Sequence, residues 1–170
     1  DVDAYLKFLA LDVAMVSGDG FYSRTADYSL YRHPDGRFHF VFHDANEMFS
    51  SGGGFGRGGG GGGGGVRLDP FVAQGDTNRP IISKILAVPS LRAKYVGYVR
   101  AIAQKSFDWA TLGPVVKQYR DLAAEEVARD TRKLYSTEEF LRGTADDGSL
   151  RAFFDARRAF LLEWAAANGG

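Results

Sequence analysis

Cysteine is absent from this 170-residue chain. That excludes disulfides, thiolate metal sites and a cysteine nucleophile. It leaves the redox compartment open, since a cysteine-free chain is stable in either. An excess of charge is missing too, because 21 Lys plus Arg balance 21 Asp plus Glu. No global basic field recruits nucleic acid, and no acidic tail is present. The basic residues are spread over the second half and mixed with acids, without the basic stripe of a nucleic-acid binder. No apolar run is long enough to span a bilayer. No signal peptide is visible either. The chain opens on Asp1 without a methionine, already inside a helical pattern, and reads as a piece of a longer protein.

What is present suits one globular domain with a real core, with 45% hydrophobic and 25% charged residues. Val2, Tyr5, Leu6, Leu9 and Val13 fall on one helical face, and Phe8, Leu11 and Met15 fill the others. The spacing predicts a helix over 1–16, buried on most sides. Ser17-Gly18-Asp19-Gly20 ends it, with a glycine expected in the left-handed cap. Strands are predicted over 27–32 and 37–43, joined by the turn His33-Pro34-Asp35-Gly36. A glycine-rich stretch, 51–66, follows and contains eight consecutive glycines. It has no phosphate-loop spacing, no lysine and no adjoining helix, so it reads as a flexible surface insertion. The remainder is helical. A turn opens at Asp69-Pro70, and a short helix spans 79–88. Pro89 suits a first helical position, Asp108 a cap, Gly113-Pro114 a helix restart, and Ser136 with Glu139 a capping box. The last helix follows the break at Asp146-Asp147-Gly148-Ser149.

The chemistry gathers in residues 17–50. A two-residue Asp35-Gly36 loop puts Asp27 opposite Asp44; a loop one residue longer puts Asp27 opposite His43, with Asp44 next to it. Either way two carboxylates meet at the open end of the hairpin. Like charges across a strand pair are destabilising, and close carboxylates raise each other's pKa. A shared divalent cation resolves that conflict, because Mg²⁺ is held by one or two carboxylates plus substrate phosphates. Asn46 adds a third oxygen donor. Asp19, on a glycine-flanked loop, suits a general base that accepts a hydroxyl proton. Plainer roles exist for each: Asp19 as a turn cap, Asp27 as a strand end, Asp44 with Asn46 as an Asx-turn. Glu47 backs the metal site or lies on the surface, and His43 neighbours Asp44. The aromatics of the helical half read as core and its basic residues as solvated faces. Arg79, beside Asn78 and Pro80, could reach the site but is not assigned to it.

The run VDAYLKFLALDVAMVSGDGFYSRTADYSLYRHPDGRFHFVFHDANEMF resembles the CotH kinase family, the spore-coat protein H group of atypical protein-kinase-like proteins. Its helix, aspartate loop, D-Y-S-L-Y strand and H-D-A-N-E-M-F segment follow that family's pattern. The likeness continues through LDPFV, NRPIISKILAVPSLRAKYVGYVRAIA and DTRKLYSTEEF, most of the chain. It implies phosphoryl transfer from ATP to protein Ser or Thr hydroxyls with Mg²⁺ or Mn²⁺. Asp19 then matches the catalytic-loop aspartate and Asp44 the metal-binding aspartate. Asp27 stands where many relatives carry asparagine, and Asn46 at the second polar position. His43 replaces the usual tryptophan and Ser50 the usual glycine.

The resulting expectation is an α+β, mostly helical fold: a kinase-like C-lobe, one partial domain over 1–170, with one hairpin carrying the site. The nucleotide-binding lobe would lie upstream of Asp1. The partner is a protein substrate of the coat or surface, with no nucleic acid and no membrane span. The resemblance implies a spore-coat or cell-surface location in a bacterium. Two other readings stay open: a non-catalytic assembly module of the same family, and a metal-dependent enzyme of another class using the same carboxylates.

Overall fold

A computed structural model describes residues 1–49 and 64–169. The order is α1 (Val2–Ala14), β1 (Tyr28–Arg32), β2 (Phe38–Phe42), then α2 (Pro80–Leu86), α3 (Pro89–Ala101), α4 (Trp109–Arg129), α5 (Thr137–Gly143) and α6 (Ser149–Asn168). A 3-10 turn spans Gly65–Arg67, and a π-helical turn, Ile102–Ser106, extends α3. The fold is mostly helical with one two-stranded antiparallel sheet, as an α+β reading requires. Most of the glycine-rich stretch, 51–66, lies outside the described residues; its last residues enter the 3-10 turn. No helix among the described residues is long and apolar enough to cross a membrane.

α1 is the centre of the packing. The Asp1 side chain caps it by accepting from Ala4 N at 3.0 Å. Tyr5, Leu6, Phe8, Leu9, Ala10, Val13 and Ala14 are all buried. The helix ends differently from expectation. The left-handed residue is Val16 at φ +53°, not a glycine. Its side chain is buried in the core, which offsets the backbone strain of a β-branched residue there. Gly18 answers a different need, since a Cβ on it would lie 3.3 Å from the Glu47 carbonyl oxygen.

The hairpin takes the longer of the two loops. His33 N donates to Arg37 O at 2.8 Å and Gly36 N to His33 O at 2.9 Å. Gly36 sits at φ +88°, the left-handed residue that closes a three-residue turn. Tyr28 therefore pairs with Phe42, and Leu30 with Phe40. Aromatic contacts bind this sheet to α1 and to Phe21 of the turn after it. Phe8 and Phe42 rings lie 4.5 Å apart, Tyr5 and Phe40 4.9 Å, and Phe21 and Tyr28 5.0 Å. Such pairs add about 0.5–1.5 kcal/mol each beyond area burial.

On the other side of α1, Tyr95 and Val99 of α3 and Phe154 and Leu161 of α6 complete the core. Arg157 of α6 is fully buried and, among the described residues, pairs with no carboxylate. Its guanidinium donates to the carbonyls of Ala14, Val13, Val66 and Leu68 at 2.7–3.0 Å. One side chain thus joins α6, the end of α1 and the turn at 65–67. Burial lowers its pKa to about 10, so it keeps its charge at neutral pH. The Ser136–Glu139 capping box forms as expected at α5. Gly113-Pro114 restarts nothing: α4 runs unbroken through Pro114 from Asp108. Proline there forgoes one helical hydrogen bond, and the bare Gly113 accommodates the Trp109 indole, 2.8 Å from where its Cβ would be.

Candidate active site

Two chain segments meet at the open end of the hairpin. One leaves α1 and carries Asp19 and Asp27; the other leaves β2 and carries Asp44 and Asn46. Three backbone bonds stitch them together. Gly18 N donates to Glu47 O at 2.9 Å, Phe49 N to Met15 O at 2.8 Å, and His43 N to Asp27 O at 3.1 Å. Asp27 thus faces His43, and Asp44 comes next. Asp27 and Asp44 mark the two strand ends symmetrically, with φ at +49° and +51°. Thr25 and Phe49 are also left-handed, so with Val16 every positive-φ non-glycine residue among those described falls in this region. Val16, Thr25 and Phe49 each cost about 1–2 kcal/mol there and the two aspartates less, a strain typical of sites that must hold an unusual geometry.

The electrostatics follow from the meeting of the acids. The Asp27 pKa is raised, first by desolvation, then by a hydrogen bond and charge repulsion from Asp19, then by the Asp44 charge; His43 opposes the shift. Asp19 and Asp27 are half-buried, while Asp44 and Asn46 are exposed. Among the described residues none of the three aspartates forms an ion pair with Lys or Arg. Asp44 Oδ1 accepts from Asn46 N at 3.0 Å, so the Asx-turn is real and occupies one carboxylate oxygen. The Glu47 carboxylate lies against Gly18, behind the Asp19 loop.

Uncompensated carboxylates with an amide oxygen nearby make an all-oxygen donor set, which suits a hard cation such as Mg²⁺ or Mn²⁺. Among the described residues no group of three or more His, Asp or Glu side chains is arranged to hold a metal ion. The set fits a cation shared with phosphate and water, and does not fit one held by protein alone. Asp19 pairs with Asp27 more closely than the strand pattern suggests, because the loop after α1 folds back over the hairpin end.

Two contributors were not legible as such. Asp12 lies on the buried face of α1, in line with Tyr5 and Phe8, and is 1% exposed. Its Oδ2 accepts from Tyr22 N at 2.9 Å. Burial first, with Asp19 and Asp27 adding, pushes its pKa up to about 7; the Tyr22 and Phe21 amides work against that. An acid inside an otherwise apolar helix was the available signal. The second is Arg79, which does reach the loop: Nη2 donates to Ser23 O while Nη1 pairs with Asp76. It braces the Asp19 loop from outside and, among the described residues, pairs with none of Asp12, Asp19, Asp27 and Asp44.

An apolar groove of about 530 Å³ lies apart from the carboxylates, between Phe49 and residues of α4, α5 and α6 such as Val127, Phe140 and Phe153. None of Asp19, Asp27, Asp44 or Asn46 lines it.

The family model for the CotH kinase protein matches residues 1–161. The chain belongs to the CotH kinase family. The CotH match begins with α1 and ends inside α6, so it takes in both segments that build the acidic cluster, and Asp12, Arg79 and Arg157 as well. No curated protein and no solved structure matches this CotH-family chain.

Proposed function

We propose that this chain is the carboxylate-bearing lobe of an atypical protein kinase that transfers phosphate from ATP to Ser or Thr hydroxyls of a protein. The observation that carries the reading is the convergence of Asp19, Asp27 and Asp44 at one hairpin end with no Lys or Arg ion pair among the described residues. Asp44 and Asp27, with Asn46, would hold Mg²⁺ or Mn²⁺. When bound, that ion would neutralise the phosphate charge and orient the phosphates.

The roles of the residues follow from their environments. Asp19 takes the proton of the attacking hydroxyl as its oxygen bonds to the terminal phosphorus and the bond to the bridging oxygen breaks. Its half-buried loop keeps the carboxylate reachable while Glu47 and the hairpin fix the loop's position. Asp44 is exposed, leaving room for water and phosphate oxygens around it. Phosphoryl transfer depends mainly on positioning and charge neutralisation, so a base and two acidic ligands form the working part of this lobe.

A non-catalytic assembly module is the second reading. It is favoured by the sparse ligand set, short of a protein-only cage among the described residues. The test is phosphate incorporation from ATP by the full-length protein with Mg²⁺, compared with Asp44→Ala. Loss in the variant supports the kinase. Absence of any transfer in the wild type, with partner binding intact in Asp19→Ala and Asp44→Ala, supports the module.

A further inference from the structure

We propose that Asp12 is the positioning residue of this site: from inside the core it clamps the Ser17–Ser23 turn and so sets where Asp19 points. The inference rests on the reading of Asp19 as the base. Asp12 sits on α1, the most deeply packed element, and its own carboxylate is buried. Its Oδ2 accepts from Tyr22 N at 2.9 Å, and its backbone carbonyl accepts from Ser17 N at 3.4 Å. These two contacts grip the turn on both sides of Asp19.

The turn itself is closed by short-range bonds. Ser23 Oγ donates to Ser17 O at 3.2 Å and to Gly20 O at 3.1 Å, and Arg24 N donates to Gly20 O at 3.0 Å. Asp19 is therefore carried on a small rigid unit, and Asp12 joins that unit to the helix. The fit is close enough to dictate the next residue. A Cβ on Gly20 would stand 2.2 Å from Asp12 Oδ1 and 2.5 Å from Ser17 Oγ. No side chain fits there without displacing the turn.

Asp12 Oδ1 has no hydrogen-bond partner among the described residues. A buried carboxyl with an unpaired oxygen costs stability, whereas a neutral acceptor would hold Tyr22 N at lower cost.

The test uses the full-length protein and labelled ATP with Mg²⁺. In Asp12→Ala, kcat is expected to fall at least about tenfold with KM for ATP within about twofold, since small misplacements of a reacting group lower turnover rather than binding. Asp12→Asn, whose amide oxygen still accepts from Tyr22 N, is expected to recover most of that loss. Should Asp12→Ala not fold, Gly20→Ala is the second probe, and a similar fall in its kcat is expected. Wild-type kcat in folded Asp12→Ala or Gly20→Ala, a loss confined to KM, or no rescue by Asn would each overturn the proposal. Amide hydrogen exchange separates this from failure of the kinase reading. Even with no phosphate transfer, Asp12→Ala should lose protection at Tyr22 about tenfold more than at Val96. Equal loss at both overturns it.

Discussion

The carboxylates of Asp19 and Asp27 lie within hydrogen-bonding reach of each other, and the charge of Asp44 falls on the same point. This repulsion is a cost of the folded state without bound cation. Because the Asp27 pKa is raised on folding, its ionised form disfavours the fold at neutral pH. Asp27→Asn should therefore stabilise the protein in EDTA, by about 0.5–1 kcal/mol, or a rise in Tm of about 1–4 °C. A thermal melt at pH 7 checks this. A lower Tm would mean that the acids are not in conflict.

Arg157 should be the most costly single side chain to lose. Asp147 could be replaced with little effect, being exposed, but Arg157→Met strands four carbonyls in the core. We expect a loss of about 3–5 kcal/mol in urea unfolding. Arg157→Lys should fall between the two, because an ammonium cannot reproduce the planar fork. A loss below about 1 kcal/mol for the Met variant would contradict the staple.

Val16 inverts the usual ranking of alanine and glycine. Both substitutions remove the same buried side chain, but only glycine also relieves the left-handed strain at φ +53°. Val16→Gly should be more stable than Val16→Ala by about 1 kcal/mol. Denaturant midpoints of the two variants decide it, and the opposite order would rule out strain at this position.

Asp12 gives stability a pH dependence of unusual sign for a carboxyl. Its pKa rises from 3.8 to about 7 on folding, mainly through burial, with Asp19 and Asp27 pushing the same way. The folded chain holds this proton more tightly than the unfolded chain. The contribution is thus full below the unfolded pKa and is lost as pH rises through about 7. Urea unfolding at pH 5 and pH 7.5 in EDTA should show wild type losing about 1–2.5 kcal/mol relative to Asp12→Asn, the upper end being a limit. Parallel behaviour of the two proteins would contradict it.

Much of this was legible in the chain. The 3.6-residue apolar pattern marks α1, and alternation around His33-Pro34-Asp35-Gly36 marks the hairpin, because both are local signals. The choice between two loop lengths was not, since it turns on one glycine conformation. The strand pattern put Asp27 beside Asp44, but the fold-back that brings Asp19 to Asp27 depends on bonds such as Gly18 to Glu47 across the hairpin. Arg157 and Asp12 escaped for a common reason. Their partners are backbone groups, which carry no residue identity; Val13 lies 144 positions from Arg157. Val16 escaped because burial overrides the preference for glycine in a left-handed cap.

The central claim is that the acidic hairpin end is a metal-dependent phosphoryl-transfer site. Its most direct test is phosphate incorporation from labelled ATP by the full-length protein with Mg²⁺, with EDTA, and with Asp44→Ala. Incorporation that needs Mg²⁺ and falls at least about a hundredfold in Asp44→Ala is the expected result, as for loss of a group acting on the transferring phosphate. Equal incorporation by wild type and Asp44→Ala would contradict it.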